Sequence, residues 1–338
     1  MTIKDIARLS GCAVSTVSRA LNDHPDVSEE TKAKIKQIVA ENKFVPNANA
    51  KHLKQQVSNN IIVVVKGSFN LFFATIIERI QADIGRAGYG AVLHYYDEGV
   101  NEVRAAERLC REAKPKGVIF LGGEPQNFVR HFGAIGVPCV LATTSAEQVS
   151  YHNLSSVSVD DRLGGRMAVE CLIRQGHRHI GIIGGCSDVS STSRQRLEGG
   201  IQCLRDNGIP IRPEYCREGK FCLEDGYRLT GDLLDKNPRI TGIFAMSDLM
   251  AFGAIRAIAE RGLRVPQDVS VVGYDGIEMA GYYCPPLTTI RQPSVRLAAL
   301  SVDLLLGAIE KKQGPRHLSL EVELEPGASV GPPRSSGG

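Results

Sequence analysis

Eight short apolar runs recur between residues 61 and 274, each too short for a helix of ordinary length. IIVVV (61–65), AVLHYY (91–96), GVIFL (117–121), CVLA (139–142), VSV (157–159), IGIIG (180–184), GIFAM (242–246) and VSVVGY (269–274) are rich in Val, Ile and Phe. They are of the length and composition of strands buried on both faces. Amphipathic stretches of helical period lie between most of them. That alternation predicts parallel strands covered by crossover helices, a doubly wound α/β fold. The stretch from residue 59 onward is about 280 residues long, more than one core usually takes. Two α/β lobes with a cleft are therefore expected over residues 59–330, followed by a loose tail at 331–338.

The first 45 residues follow a different pattern. Ile3, Ile6 and Ala7 recur at helical spacing, with Thr2 placed to cap that helix and Gly11 to end it. Val14, Val17 and Leu21, with Ala20, form the inner stripe of a second helix, leaving Ser15, Thr16, Ser18 and Arg19 mainly on the opposite arc. Ser28, with Glu30 and Thr31, opens a third helix in which Ile35, Ile38 and Val39 face inward and Lys32, Lys34 and Lys36 face water or phosphate. Two helices joined by about three residues around a glycine make an all-α helix-turn-helix, whose second helix enters the DNA major groove.

Charge favours the same placement. Residues 1–57 carry nine Lys and Arg against six Asp and Glu, whereas the remaining 281 carry 31 of each. All the formal excess sits on the head. It is small for a nucleic-acid binder, so a second head supplied by a dimer is expected. Residues 46–58 begin PNANAKHLK; Asn47 can cap a helix after Pro46, but about eight residues cannot hold one in water without packing.

TIKDIARLSG (2–11), TVSRALN (16–22) and FVPNANAKHL (44–53) resemble the headpiece of the LacI/GalR family of bacterial transcriptional regulators. The resemblance continues through FFATIIERI (72–80), DDRLGG (160–165), GHRHIGIIGG (176–185), SRQRLEGG (193–200), SDLMAFGAIRAI (247–258), GLRVPQDVSVVGYD (262–275) and PPLTTIRQP (285–293). It implies a headpiece over 1–45, a hinge helix and linker over 46–58, and a periplasmic-binding-protein-like effector and dimerisation domain over 59–330. The implied function is that of a cytoplasmic repressor. It would bind a palindromic operator in double-stranded DNA as a homodimer, with affinity set by a small effector, a sugar or sugar derivative, in the interlobe cleft. A catabolite-control variant of the family would dock a phosphorylated carrier protein as co-regulator instead.

Family roles carry over residue by residue. Val14, Ser15 and Arg19 would read bases and Thr16 and Ser18 would hold phosphates, with Thr2 and Asn47 also on the DNA side. Arg19 can donate two parallel hydrogen bonds to guanine, and Val14 can touch a thymine methyl. Leu53 would wedge a base step open in the minor groove, with Lys51 and Lys54 near the backbone. Effector contacts would fall to Phe72, Phe73, Asp160, Arg196, Asp248 and Asp275. Aromatic faces suit a sugar ring, and an arginine with carboxylates suits its hydroxyls. The chain departs from the family pattern at Ala13, Lys51, His52, Ser247 and Gly276.

Other classes fit poorly. No GxGxxG follows the first strand, no GxxxxGK[ST] occurs and no GxSxG is present, so an enzyme is not expected. The eight histidines lack metal-ligand spacing, which predicts no metal; His177 and His179 read as groups that satisfy backbone at a helix end. Nine cysteines without a CxxC pair read as reduced, buried apolar residues of the cytosol, with no cofactor implied. No run of about 18 apolar residues occurs, so no membrane partner is expected.

Overall fold

Ile6, Val17, Ala20 and Ile35 are fully buried together and form the centre of a small helical unit. They come from α1 (Ile3–Ser10), α2 (Val14–Leu21) and α3 (Glu29–Glu41). A turn at Gly11, with φ at +67°, separates the first two helices, and the Ser28 hydroxyl accepts the Thr31 N–H to cap the third. The computed structural model describes residues 3–21, 26–42, 58–67 and 70–334, and the chain divides into two units, 1–58 and 59–338. Lys32 departs from expectation. It stands one turn before Ile35 on the inner face, is 7% exposed and places its ammonium 2.6 Å from Glu29 Oε1, whereas Lys34 and Lys36 are exposed.

The second unit contains two six-stranded sheets. The first holds β1 (Asn60–Lys66), β2 (Gly90–Tyr96), β3 (Gly117–Leu121), β4 (Cys139–Ala142), β5 (Leu154–Val159) and β11 (His317–Leu320), in the order β11-β5-β4-β3-β1-β2. The second holds β6 (Ile180–Gly185), β7 (Cys216–Gly219), β8 (Gly242–Ala245), β9 (Ser270–Asp275), β10 (Thr288–Arg291) and β12 (Glu323–Glu325), in the order β12-β10-β9-β8-β6-β7. Every pairing is parallel except β10 with β12. Ile61 to Val65 are at most 1% exposed because helices cover both faces of β1. The chain passes between the sheets three times, after β5, β10 and β11.

All eight apolar runs are strands. β7, β10, β11 and β12 were not legible: three are half-solvated and carry no continuous apolar run, and β10 lies between prolines that read as turns. The tail is also held at its start. The buried His177 donates from Nε2 to the Gly331 carbonyl at 2.9 Å, while the Thr241 hydroxyl is 2.9 Å from Nδ1; Arg334 donates to the Pro238 carbonyl. Burial lowers the His177 pKa, in keeping with a neutral ring. No helix among the described residues is long and apolar enough to cross a membrane.

Two helices of the second lobe position one side chain of special interest. Asp161–Arg174 and Ser191–Asp206 cross so closely that a Cβ on Gly165 would lie 2.1 Å from the Arg196 carbonyl oxygen, and one on Gly199 would lie 1.9 Å from that of Arg162. Glycine at both points lets Arg196 sit directly over the sheet.

Candidate functional site

Strand order reverses at β1 in one sheet and at β6 in the other, and ligands of open α/β sheets bind beyond the carboxyl ends of strands at such points. Here both sets of strand ends open onto one cavity of about 750 Å³. Lys66, Glu98, Glu124 and Thr143 reach it from the first lobe, and Cys186, Lys220, Ser247 and Asp275 from the second. Phe72 and Phe73, at the start of helix Leu71–Arg86, and Phe221, after β7, add aromatic surface.

Arg196 lies in the cavity wall, 5% exposed. Its Nε donates to Asp161 Oδ1 at 2.8 Å and its Nη1 to the Met246 carbonyl at 2.6 Å, and Nη1 is 3.9 Å from Asp275 Oδ1. The guanidinium stacks over the Tyr274 ring, 3.6 Å from its centroid, and the Tyr274 hydroxyl donates to Asp161. Burial works against the arginine's charge, but Asp161, Tyr274 and Asp275 more than offset it and its pKa is raised. Burial pushes the Asp161 carboxyl up, and Arg196 pulls it only part of the way back. Asp275 has φ at +116° and accepts the Gln292 amide at 2.8 Å; burial lifts its pKa to about 7 against the pull of Arg196 and Gln292. The result is a rigid polar wall beside aromatic faces.

On the separate helical unit, Val14, Ser15 and Arg19 of α2 are exposed and Thr16 and Ser18 partly so, while Val17 and Ala20 are buried. The exposed arc is short-chained apart from its single arginine. Thr2, Asn47, Lys51 and Leu53 lie outside the described residues.

Residues 2–47 match the profile of bacterial regulatory proteins of the lacI family, and residues 169–330 that of a periplasmic binding protein-like domain. Over 332 residues the chain is 39% identical to the HTH-type transcriptional regulator MalR of Clostridium butyricum, covering 96% of this chain and 97% of that protein. This chain belongs to the LacI family. Among solved structures of the family, the Lac repressor dimer bound to operator and the anti-inducer ONPF matches with a TM-score of 0.76 at 30% identity, over 98% of this chain and 99% of that one. The transcriptional regulator CelR–cellobiose complex matches with a TM-score of 0.72 at 29% identity, over 97% and 99%. These relatives are transcriptional regulators, not enzymes, and this LacI-family chain is a DNA-binding transcriptional regulator.

Of the effector contacts carried over from the LacI family, the structure brings Phe72, Phe73, Arg196 and Asp275 to the cavity. Asp160 is not among the residues that line it, and the burial of Asp248 corrects the expectation for that residue. Asp160 caps helix Asp161–Arg174 by accepting the Leu163 N–H at 2.8 Å. Asp248 is fully buried, accepting the Thr289 hydroxyl at 2.5 Å and the Ile277 N–H at 2.8 Å; burial and the neighbouring Asp275 push its pKa well up. Its neighbour Ser247 reaches the cavity instead. Sequence reasoning also missed Lys66, Glu124, Phe221 and Gln292. Lys66 ends β1 and the other three closely follow a strand, so position at a strand's carboxyl end was the available signal; Gln292 was lost with β10. Glu198, on the same helix, pairs with Arg162 and leaves Arg196 to Asp161.

Proposed function

We propose that this LacI-family protein is a cytoplasmic repressor. Two copies bind a palindromic operator, and a sugar or sugar derivative in the interlobe cleft sets their affinity for it. The cavity carries this reading: aromatic faces from both lobes stand beside a buried, hydrogen-bonded arginine and carboxylate, chemistry suited to the flat faces and hydroxyls of a sugar. The relative solved as a complex with cellobiose supports the same class of ligand.

Dimerisation is supported by an apolar surface on the second lobe. Leu223 and Tyr227 lie against the Gly253 turn of helix Asp248–Glu260, and on the same helix Tyr283 stacks on Phe252 with ring centroids 4.3 Å apart. Nearby Met279 is 48% and Tyr282 83% exposed, apolar surface that a second copy would cover. Each head then supplies Val14, Ser15 and Arg19 to bases and Thr16 and Ser18 to phosphates, with Thr2, Asn47, Lys51 and Leu53 extending the contact. Effector binding changes the angle between lobes and hence the spacing of the two hinges. Operator affinity shifts by the differential binding energy, typically about 1–3 kcal/mol.

Selection from a random duplex library by the full-length protein at about 0.15 M salt, where phosphate-only binding is weak, tests the reading. An enriched inverted repeat is the expected result. Enrichment of single, unpaired sites overturns the dimeric operator, and enrichment of nothing overturns sequence-specific binding.

A further inference from the structure

We propose that the effector is an uncharged saccharide of at least two rings, its outer end held by Asp97 and Glu98 of one lobe and Lys220 of the other. The inference rests on the cleft being the effector site and adds the charge and length of the ligand. It starts from where the cavity's cations are spent. Lys66 Nζ lies 2.8 Å from Glu102 Oε2, and that carboxylate, fully buried, also accepts the Asn127 amide at 3.0 Å and the Glu124 N–H at 2.8 Å. Arg196 is held between Asp161 and Asp275. Neither cation is left to neutralise a phosphate or carboxylate.

Three of the helix N-termini at the cavity wall, ready anion sites in such a cleft, carry their own side-chain caps, whereas those that follow Glu124 and Cys222 carry none. Asn70 accepts the Phe72 N–H, Ser190 that of Ser193 and Ser247 that of Met250, each capping its own helix at the cavity wall. An anionic effector would meet the exposed Asp97 and Glu98, with Lys220 the one lining cation that makes no ion pair among the described residues. A neutral polyol meets no such repulsion, and the same carboxylates accept its hydroxyls.

Length follows from topology. Asp275 ends β9, while Lys220 follows β7 at the edge of the same sheet, three strand positions away. At a strand spacing of roughly 4.8 Å those strand ends are about 14 Å apart, a span that two linked hexose rings fill and one does not. Asp97 and Glu98 follow β2, the matching edge strand of the first sheet, so both lobes present polar groups at the outer end. Asp97, Glu98 and Lys220 are exposed and unneeded by either core.

Calorimetric titration of the full chain with glucose, glucose 6-phosphate, and α- and β-linked glucose disaccharides and trisaccharides tests this. At least one longer saccharide should bind ten-fold or more tighter than glucose, and glucose 6-phosphate no tighter than glucose. Asp97→Ala with Glu98→Ala, or Lys220→Ala, should cut the ratio of disaccharide to glucose affinity several-fold, with the thermal midpoint of the ligand-free protein reporting that each variant folds. Equal affinity for glucose and every longer saccharide, tighter binding of the phosphate, or an unaltered ratio in both variants overturns the proposal while leaving a sugar effector in place. Binding of none of these compounds, nor of galactose, mannose, fructose, ribose or their oligosaccharides, overturns the sugar reading itself.

Discussion

The carboxylate of Glu124 crosses the cleft and accepts the backbone N–H of Ser191 at 2.8 Å, and its other oxygen lies 3.8 Å from Arg194 Nη2. Glu124 follows β3 in the first lobe, whereas Ser191 and Arg194 belong to the first turn of helix Ser191–Asp206 in the second. A carboxylate at a helix N-terminus gains from the orphan N–H groups and the dipole there. The contact therefore favours lobes held together, and closing the lobes on a ligand draws on the same contact.

Removing that carboxylate should loosen closure. Glu124→Ala is expected to raise the radius of gyration of the effector-free protein in X-ray scattering and to weaken effector binding by about 0.5–1.5 kcal/mol, the worth of a typical hydrogen bond. Glu124→Gln, which keeps an acceptor but loses the charge, should fall between. Unchanged scattering and affinity in Glu124→Ala would mean that the contact contributes nothing to closure.

Asp275 makes the protein sensitive to pH. Its folded-state pKa of about 7 lies above the ordinary value of 3.8, so between roughly pH 4 and 7 the native state binds a proton that the unfolded chain does not. Its contribution to stability is full below that window and is lost as pH rises through about 7. Asp161 and Asp248 are raised as well and act in the same direction. Asp275→Asn should flatten the decline of the thermal midpoint between about pH 4 and pH 7. A ligand hydroxyl donating to the ionised carboxylate would also release this proton, so effector affinity should rise with pH in the native protein and not in Asp275→Asn. Parallel pH profiles for the two proteins would contradict the assignment.

Asp248 shows where sequence alone misleads. Its place in SDLMAFG is that of a ligand contact by resemblance, but the first helical residue after β8 turns inward while the capping Ser247 meets the cavity. A shift of one residue at a helix start decides between solvent and core. Asp248→Ala should orphan the Thr289 hydroxyl and the Ile277 N–H and destabilise the fold, at about 1–3 kcal/mol for each group, as read from urea unfolding. Asp248→Asn, matching the neutral form that burial favours, should cost less. Equal losses would mean that both carboxylate oxygens are needed as acceptors, since asparagine keeps only one.

What was legible followed from periodicity and what was not followed from contacts. β1 and β6 could be read because burial on both faces demands continuous apolar sequence; β12, with Glu323 and Glu325 at its ends, gives no such signal. Arg196 and Asp275 could be placed in a cleft from their motifs. That Lys66 is neutralised by Glu102, 36 residues away, or that Lys32 is buried on α3, depends on packing that no local pattern records.

Arg19 tests how α2 reads DNA. It lies on the exposed arc with Ser15, opposite the buried Val17 and Ala20, and its planar fork matches the two acceptors of a guanine edge. Arg19→Ala should relax preference at one base pair of each half-site by about 1–3 kcal/mol while leaving the other positions as selective as before. Arg19→Lys separates this role from simple phosphate contact, because lysine restores the charge but not the bidentate geometry. If Arg19 reads a base, the lysine variant should regain overall affinity and salt dependence yet stay relaxed at that position in a binding selection. Recovery of the full base preference by lysine would place Arg19 on the backbone and leave Val14 and Ser15 to carry the readout from this helix.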